Sequence, residues 1–317
     1  MKLGQELLNI IKEHSSIVIF GHKLPDGDCF GCQVGLKEII KENYHKKDVY
    51  VAGSGVKSLF PVLGYPDKDI PDEVYKNSLA IIVDCSAICR VEDSKIHLCK
   101  EYIKIDHHKH NEEEDFPHPY LVQEGRIAAG EIIVDFALAH KLRINVKAAR
   151  ALYVAILTDS GNLKYYGTTP HTFDIINFLL SIVDNPKECF DAAFYVDEET
   201  KRARAYIKNH IKIDGQVAYC IFRKEQYEKI KVPYEIASSC VNTIGTLCET
   251  NIYVLFAETP TNRVRVEFRS NQMYPVNGVA MECHGGGHRY AAGCEIENSS
   301  EAIKNVLNLL NKVERDS

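Results

Sequence analysis

Short β-branched runs that end in ionisable clusters, with helical patterns among them, predict an α/β fold. The expected architecture is a mostly parallel sheet with flanking helices in an N-terminal domain, plus a smaller C-terminal α/β domain across a cleft. Three observations carry this reading. SIVIFGH, DVYVAG, LAIIVD, EYIKID and PYLVQ crowd into the first part of the chain; VKAARALYVAILTDSG and HTFDIINFLLSIV follow with helical spacing; and QVAYCIF, IYVLFAE and RVRVEFRS form a second strand set near the end. At 317 residues the chain is long for one core and ordinary for two.

In chain order, the opening segment places Leu3, Leu7, Leu8 and Ile11 at helical spacing and is interrupted by Glu6, Lys12 and Glu13. It has no signal-peptide pattern, and no stretch approaches the ~18 uninterrupted apolar residues of a membrane span. A cytoplasmic protein with no membrane partner is expected. In a parallel sheet, ligands collect at the carboxyl ends of the strands, and His22, Asp84 and Asp106 each follow or close a strand. One helix should carry Ala149, Leu152, Ala155 and Ile156 on a face, with Asp159 near its end. Charged residues accumulate in VDEETKRARAYIKNHIK, which reads as a helical connector. Beyond it, YEIASSCVNTIGTLCE and EAIKNVLNLLNKV supply the helices of the second domain.

Composition narrows the function. With 45% hydrophobic and 26% charged residues and no low-complexity tract, this is a globular chain. A formal charge of −6 argues against a long footprint on duplex nucleic acid, but it allows a short anionic substrate held by metal ions. Eleven cysteines, odd in number and irregular in spacing, suggest buried thiols rather than a disulfide framework. Cys29 and Cys32 form a C-x-x-C, with Cys85 and Cys89 near another cluster, so a zinc or redox site has to be weighed.

The clusters themselves suggest metal chemistry. In GHKLPDGDCFG, His22, Asp26 and Asp28 put three ligating groups on one turn shaped by Pro25 and Gly27; helix-capping and turn roles are the plainer alternative. Asp84 after LAIIV would alone be an ordinary solvated strand end. Asp106, His107 and His108 are harder to explain away, since three ionisable residues directly follow an apolar strand. Adjacent histidines point in different directions, so one can ligate a metal while the other meets substrate. A mixed carboxylate and imidazole set suits Mn2+, with Mg2+, Co2+ or zinc as alternatives. Glycines in GGGHRYAAG either make a plain turn or expose N–H groups to an anion beside His288. Arg263, Arg265, Arg269 and Arg289 make that region locally basic, though solvated charge suffices for Arg263 and Arg265. GSGVKS at 53–58 has Ser58 where a dinucleotide-binding turn needs its third glycine.

On these residues the chain resembles a known family. HKLPDGD, the VD at Asp84, DHH at 106–108 and LTDSG around Asp159 look like the four ordered motifs of the DHH phosphoesterase superfamily. RSNQMYPVNGVAMECHGGGHRYAAG resembles its DHH-associated C-terminal domain. Within the superfamily, the chain is most similar to the bifunctional oligoribonuclease and 3′-phosphoadenosine 5′-phosphate (PAP) phosphatase group. The resemblance implies a catalytic domain over 1–188, a helical connector over 189–212 and a substrate-binding domain over 213–317. It implies two divalent ions, one on His22, Asp26 and Asp84, the other on Asp28, Asp84, His107 and Asp159. His108 would contact the scissile phosphate and Asp106 would orient its neighbours, so that His108, Asp84 and Asp106 form the catalytic set. Arg90, Arg269, Ser270, Gly286, Gly287 and His288 would bind substrate.

The implied substrates are short single-stranded RNA or DNA oligonucleotides, cut to mononucleotides, and PAP, converted to AMP. A linear or cyclic dinucleotide phosphodiesterase, acting for instance on cyclic di-AMP, an inorganic pyrophosphatase and a non-catalytic nucleotide sensor are alternatives, and a homodimer is compatible with the sequence. Cys29, Cys32 and the alanines of RIAAGE depart from the family pattern, which puts fine substrate preference in question but leaves the ligand set intact.

Overall fold

The computed structural model describes residues 4–108, 120–271 and 273–316. Leu3 of the expected first helix, Pro119 of the expected fifth strand and Gln272 of RSNQ lie outside the described residues. The chain divides into two compact units, Met1–Tyr195 and Val196–Ser317.

The first unit is built on a five-stranded sheet in the order β2-β1-β3-β4-β5. Its strands are β1 (Ser16–Phe20), β2 (Asp48–Val51), β3 (Leu79–Val83), β4 (Glu101–Asp106) and β5 (Tyr120–Val122), and every pairing is parallel. Both faces of the central strands are covered, which is why they read as continuous apolar runs rather than alternating ones. Ile17, Ile19, Leu79, Ile81 and Val83 enter one core, while Val18, Phe20, Ala80 and Ile82 enter another on the opposite face. The strand order turns back between β1 and β3, and such a switch point opens a crevice at the strands' carboxyl ends.

Around this sheet lie α1 (Gln5–Glu13), α2 (Gly27–Asn43), the short α3 (Phe60–Leu63) and α4 (Asp72–Lys76), then α5 (Ala129–Ala139), α6 (Val146–Asp159), α7 (Pro170–Leu180) and α8 (Pro186–Ala193). Asp26 starts α2 by accepting a hydrogen bond from Cys29 N at 3.0 Å, while Asn145 caps α6 through Ala148 N. α2 lies against α6 through small residues. A Cβ added at Gly31 would fall 2.5 Å from the Ala151 carbonyl oxygen, and one at Gly35 2.7 Å from Leu152 Cγ. This close approach holds the start of α2, which bears Asp28, beside the end of α6, which bears Asp159.

The second unit has a mixed six-stranded sheet in the order β10-β11-β9-β8-β7-β6. The strands are β6 (Lys212–Asp214), β7 (Val217–Phe222), β8 (Ile252–Glu258), β9 (Arg263–Ser270), β10 (Gly286–His288) and β11 (Ala291–Glu297). β7 and β8 run parallel and the other pairs antiparallel. β9 shows the alternation of a strand covered on one face: Val264, Val266, Phe268 and Ser270 are buried, with arginines and Glu267 between them. The helices are α9 (Glu198–His210), α10 (Lys224–Lys229), α11 (Tyr234–Ser239), α12 (Asn242–Gly245), α13 (Asn277–Glu282) and α14 (Ser300–Leu310).

The segment expected as a connector, 189–212, is instead divided between the units. Its first residues complete α8, and α9 buries Ala203 and Ile207 in the second unit's core beside Ala218 and Phe222. Two small or branched residues four apart suffice for a buried stripe, which the surrounding charges conceal. Among the described residues, no helix is long and apolar enough to cross a membrane.

Gly31→Ala should destabilise the chain by about 1–3 kcal/mol, because the neighbour it meets is backbone and cannot rotate away. Gly278→Ala in α13, where an added Cβ meets nothing within 4 Å, serves as the control and should hold or gain stability. Urea unfolding of both variants measures this, and equal midpoints would contradict the close α2–α6 packing.

Candidate metal centre

The site is assembled where β1, β3 and β4 end. His22 lies two residues beyond β1, and its Nδ1 is 2.9 Å from the Lys23 carbonyl oxygen. His107 follows β4 directly, with Nδ1 3.0 Å from the Arg126 carbonyl oxygen. A carbonyl can only accept, so each Nδ1 carries a proton and each Nε2 is the atom turned inward. Those Nε2 atoms face carboxylates. His22 Nε2 is 3.5 Å from Asp84 Oδ2 and 3.7 Å from Asp26 Oδ1. His107 Nε2 is 3.3 Å from both Asp84 Oδ1 and Asp159 Oδ2, and 3.8 Å from Asp28 Oδ2.

Asp28 is fully buried in the first turn of α2. Its carboxylate accepts from Ala129 N at 2.7 Å, Gly130 N at 3.0 Å and Cys32 Sγ at 3.2 Å. Ala128, at the N-cap of α5, offers no capping side chain. Asp28 supplies the missing acceptor from another helix and lies at the positive end of the α5 dipole. Asp84 is buried at the end of β3 with φ 49°, a left-handed backbone that costs a non-glycine residue energy. Its N–H donates to Ile105 O at 3.0 Å, and its Oδ1 has no hydrogen-bond partner.

Asp106 is buried too, and it plays a different part. Its Oδ1 accepts from His107 N at 2.9 Å and from His108 Nδ1 at 2.8 Å, and its Oδ2 is 3.0 Å from Lys104 Nζ. Burial would raise its pKa, but the His108 bond and the Lys104 charge prevail and hold it down at about 2. With Nδ1 engaged, the half-exposed His108 has Nε2 left for another partner. A cavity of about 100 Å³ is lined by His22, Asp26, Asp84, His107, His108, Asp159 and Arg90, with Cys85 and Ser86 completing its wall.

These groups fit a cation. Burial pushes the Asp28 carboxyl well above its usual range, with the like charges of Asp84 and Asp159 adding to it. Asp159 is raised to about 6 by burial, against the opposing charge of His107, and by Asp84 and Asp26. Burial alone would lower the His107 pKa, yet Asp84 and Asp28 carry it up to about 10; His22 is raised by Asp26 and then Asp84. Lone pairs that face one another require a proton or a metal ion between them. Among the described residues, three groups have ligating atoms close enough to share an ion: His22, Cys29 and Asp84; Asp84, His107 and His108; Asp28, His107 and Asp159.

The thiols do not make a second kind of site. Each of those groups has at most one cysteine, and burial pushes the Cys29 thiol up to about 11 and Cys32 well above its ordinary value. Burial thus works against the thiolates that a cysteine-held zinc needs. The GSGVKS turn is also occupied, since Ser54 N donates to Glu92 Oε2 at 2.9 Å.

In the second unit, the last two glycines of GGGH enter a strand rather than a plain turn. Gly286–His288 is β10, Gly287 has φ 139°, and a Cβ there would lie 2.6 Å from Ala292 Cα. Register places His288 opposite Ala291, and Ala291 opposite Arg269, so His288 and Arg269 lie on adjoining positions of three neighbouring strands. Arg269 is steadied by Glu267 at 3.2 Å and the Phe268 carbonyl at 2.8 Å, and Ser270 Oγ donates to Tyr274 O. Arg263, Arg265 and Arg289 are engaged with Glu295, Glu267 and Asp316. Sequence reasoning missed Lys104 and Ser86. The signal for Lys104 was its spacing of two from Asp106, which puts both on one face of β4.

Residues 16–156 match the DHH family, N-terminal domain, and residues 214–316 match the DHHA1 domain. The chain is 32% identical to the "Bifunctional oligoribonuclease and PAP phosphatase NrnA" of Mycoplasma genitalium, with 99% of each chain covered. It is 28% identical to the protein of the same name from Bacillus subtilis, with 96% of each covered. A solved exopolyphosphatase-related protein from Bacteroides fragilis shares the fold, with a TM-score of 0.78 at 22% identity over 97% of this chain and 94% of that one.

Without metal, Asp28 and Asp159 bind more protons folded than unfolded, so stability should fall as pH rises from about 4 through about 6. His107, with its pKa raised, extends the fall above about 6.5. A divalent ion replaces those protons. Manganese should therefore raise Tm more at about pH 8 than at about pH 5, a difference that scanning calorimetry measures; equal increments would contradict the cation-site reading.

Proposed function

The chain belongs to the DHH family, and from that premise we propose that it is a metal-dependent phosphoester hydrolase that converts short oligonucleotides to mononucleotides and PAP to AMP. The observation that carries the reading is the single cavity into which His22, Asp26, Asp84, His107 and Asp159 turn, with Asp28 behind them and Arg90 and His108 on the wall. The names of the two curated relatives, both matched over almost their whole length, point to the substrates.

Two divalent ions suit the ligand set, manganese first, with magnesium or cobalt as alternatives. His22, Asp26 and Asp84 would hold one, Asp28, Asp84, His107 and Asp159 the other, and Asp84 would be shared. When bound, the ions supply Lewis acidity toward the phosphate and lower the pKa of water enough for attack at neutral pH.

The remaining work falls to side chains. His108, with Nδ1 held by Asp106, offers Nε2 to a phosphate oxygen. Arg90 offers a planar pair of donors to the same charge. Asp106 stays ionised and fixes the ring without touching the substrate. In the second unit, Arg269, Ser270, Gly286, Gly287 and His288 would receive the distal nucleotide, with Gly287 letting β10 adopt a backbone that other residues rarely reach. One chemistry then serves both substrates, since each reaction breaks the bond between phosphorus and a nucleotide's 3′-oxygen.

A ladder of RNAs from the dinucleotide to about two dozen nucleotides, run beside PAP and cyclic di-AMP, tests this reading. Manganese-dependent release of mononucleotide should be fastest from the shortest species, PAP should yield AMP, and Asp84→Asn should lower both rates by roughly 10³-fold or more with the fold intact. Preferred turnover of cyclic di-AMP would contradict the substrate assignment, and full activity of Asp84→Asn would contradict the site.

A further inference from the structure

A buried lysine stands behind the catalytic loops. Lys104 lies in the interior of β4, opposite Ile82 of β3, on a face that carries mostly apolar side chains, with Asp106 two residues further on. Its side chain is 2% exposed. Two contacts of the ammonium lead in different directions within the fold: Nζ is 3.0 Å from Asp106 Oδ2 on its own strand, and it donates to the Ser86 carbonyl at 3.0 Å in the loop after β3.

Each contact ends at the site. Through Asp106 it reaches His108, whose Nδ1 sits 2.8 Å from the other carboxylate oxygen. Through Ser86, a cavity-lining residue, it reaches the turn in which Asp84 holds its left-handed backbone at φ 49°. Taking an ammonium and a carboxylate out of water costs several kcal/mol per ion, and apolar residues of similar volume in such places are often no less stable. Stability therefore gives no reason for a charge pair here, whereas fixing the geometry of two loop ends does.

We propose that Lys104 is a positioning residue for the phosphoester hydrolysis, a clamp that ties the β3 and β4 loop ends together and holds the His108 ring with Nε2 toward the substrate. The proposal rests on the hydrolase reading above. Lys104 touches neither substrate nor metal ligand in this account. It acts through Asp106 and the Ser86 carbonyl.

The test uses the full chain, with Lys104→Met alone and Lys104→Met combined with Asp106→Asn. The double variant removes both members of the buried pair and should fold even if the single one does not. Metal-free protein is examined first, by the imidazole nitrogen and proton resonances of His108, assigned through His108→Gln. The hydrogen-bonded Nδ1 signal of the parent should shift or vanish in both clamp variants.

Kinetics with a dinucleotide should then show kcat reduced about 100-fold with KM within about threefold of the parent, as expected for a misaligned rather than missing group. Manganese bound per chain should be unchanged. An unaltered His108 signal, an unaltered kcat, or a loss of turnover that tracks loss of manganese would each overturn the proposal. A parent chain that cleaves no phosphoester would sink the hydrolase reading instead, and the metal-free resonances would still decide whether the clamp exists.

Discussion

Everything at the head of the first sheet answers to one electrostatic problem: three carboxylates are held close together around a single imidazole. Two such charges about 4 Å apart repel by about 4 kcal/mol at an effective dielectric of 20. Asp28, Asp84 and Asp159 surround one imidazole nitrogen, and Asp84 keeps an oxygen with no hydrogen-bond partner. Protons relieve the strain in part, which is why Asp28, Asp159 and His107 hold theirs to unusually high pH. Divalent ions relieve it more fully, and the arrangement makes chemical sense around them.

The scaffold supplies what the cluster needs to persist. Parallel strands with both faces covered make a rigid floor, and the switch between β1 and β3 opens the crevice where His22 and Asp84 emerge. Backbone carbonyls of Lys23 and Arg126 fix the imidazole tautomers. The start of α5 steadies Asp28, and the glycine contact between α2 and α6 keeps Asp28 and Asp159 together. Asp106, by contrast, has a cation beside it and stays ionised at low pH. Neighbouring carboxylates thus divide their tasks by environment: one group waits for metal and one orients a ring.

Much of this could be read from sequence because each ligand sits where a local pattern ends. His22, Asp84 and His107 follow apolar strands, Asp106 closes one, and Asp159 ends a helix; periodicity marked these positions, and the resemblance to the DHH family supplied their expected roles. What could not be read depends on contacts between distant segments. Asp28 was expected as a ligating group, or more plainly as a turn or capping residue of its own helix; that it caps α5, whose first residue is Ala129, is a pairing that no local pattern encodes. Lys104 was hidden inside a strand run, because strand propensity says nothing about a partner in another loop. α9 looked like a solvated connector since its charged residues outnumber the two that reach the core, Ala203 and Ile207. Consecutive glycines suggested a turn at 285–287, but register with β11 recruits them into an edge strand, where the missing side chain at Gly287 lets two backbones come close.

The central claim is that Asp84 joins two ions in one cavity. Low-temperature electron paramagnetic resonance of the chain titrated with manganese addresses it most directly. The account predicts that the second equivalent produces an exchange-coupled spectrum from an adjacent pair, and that Asp84→Asn returns the spectrum of isolated ions. Saturation at one equivalent, or two equivalents that remain uncoupled in the parent, would contradict it.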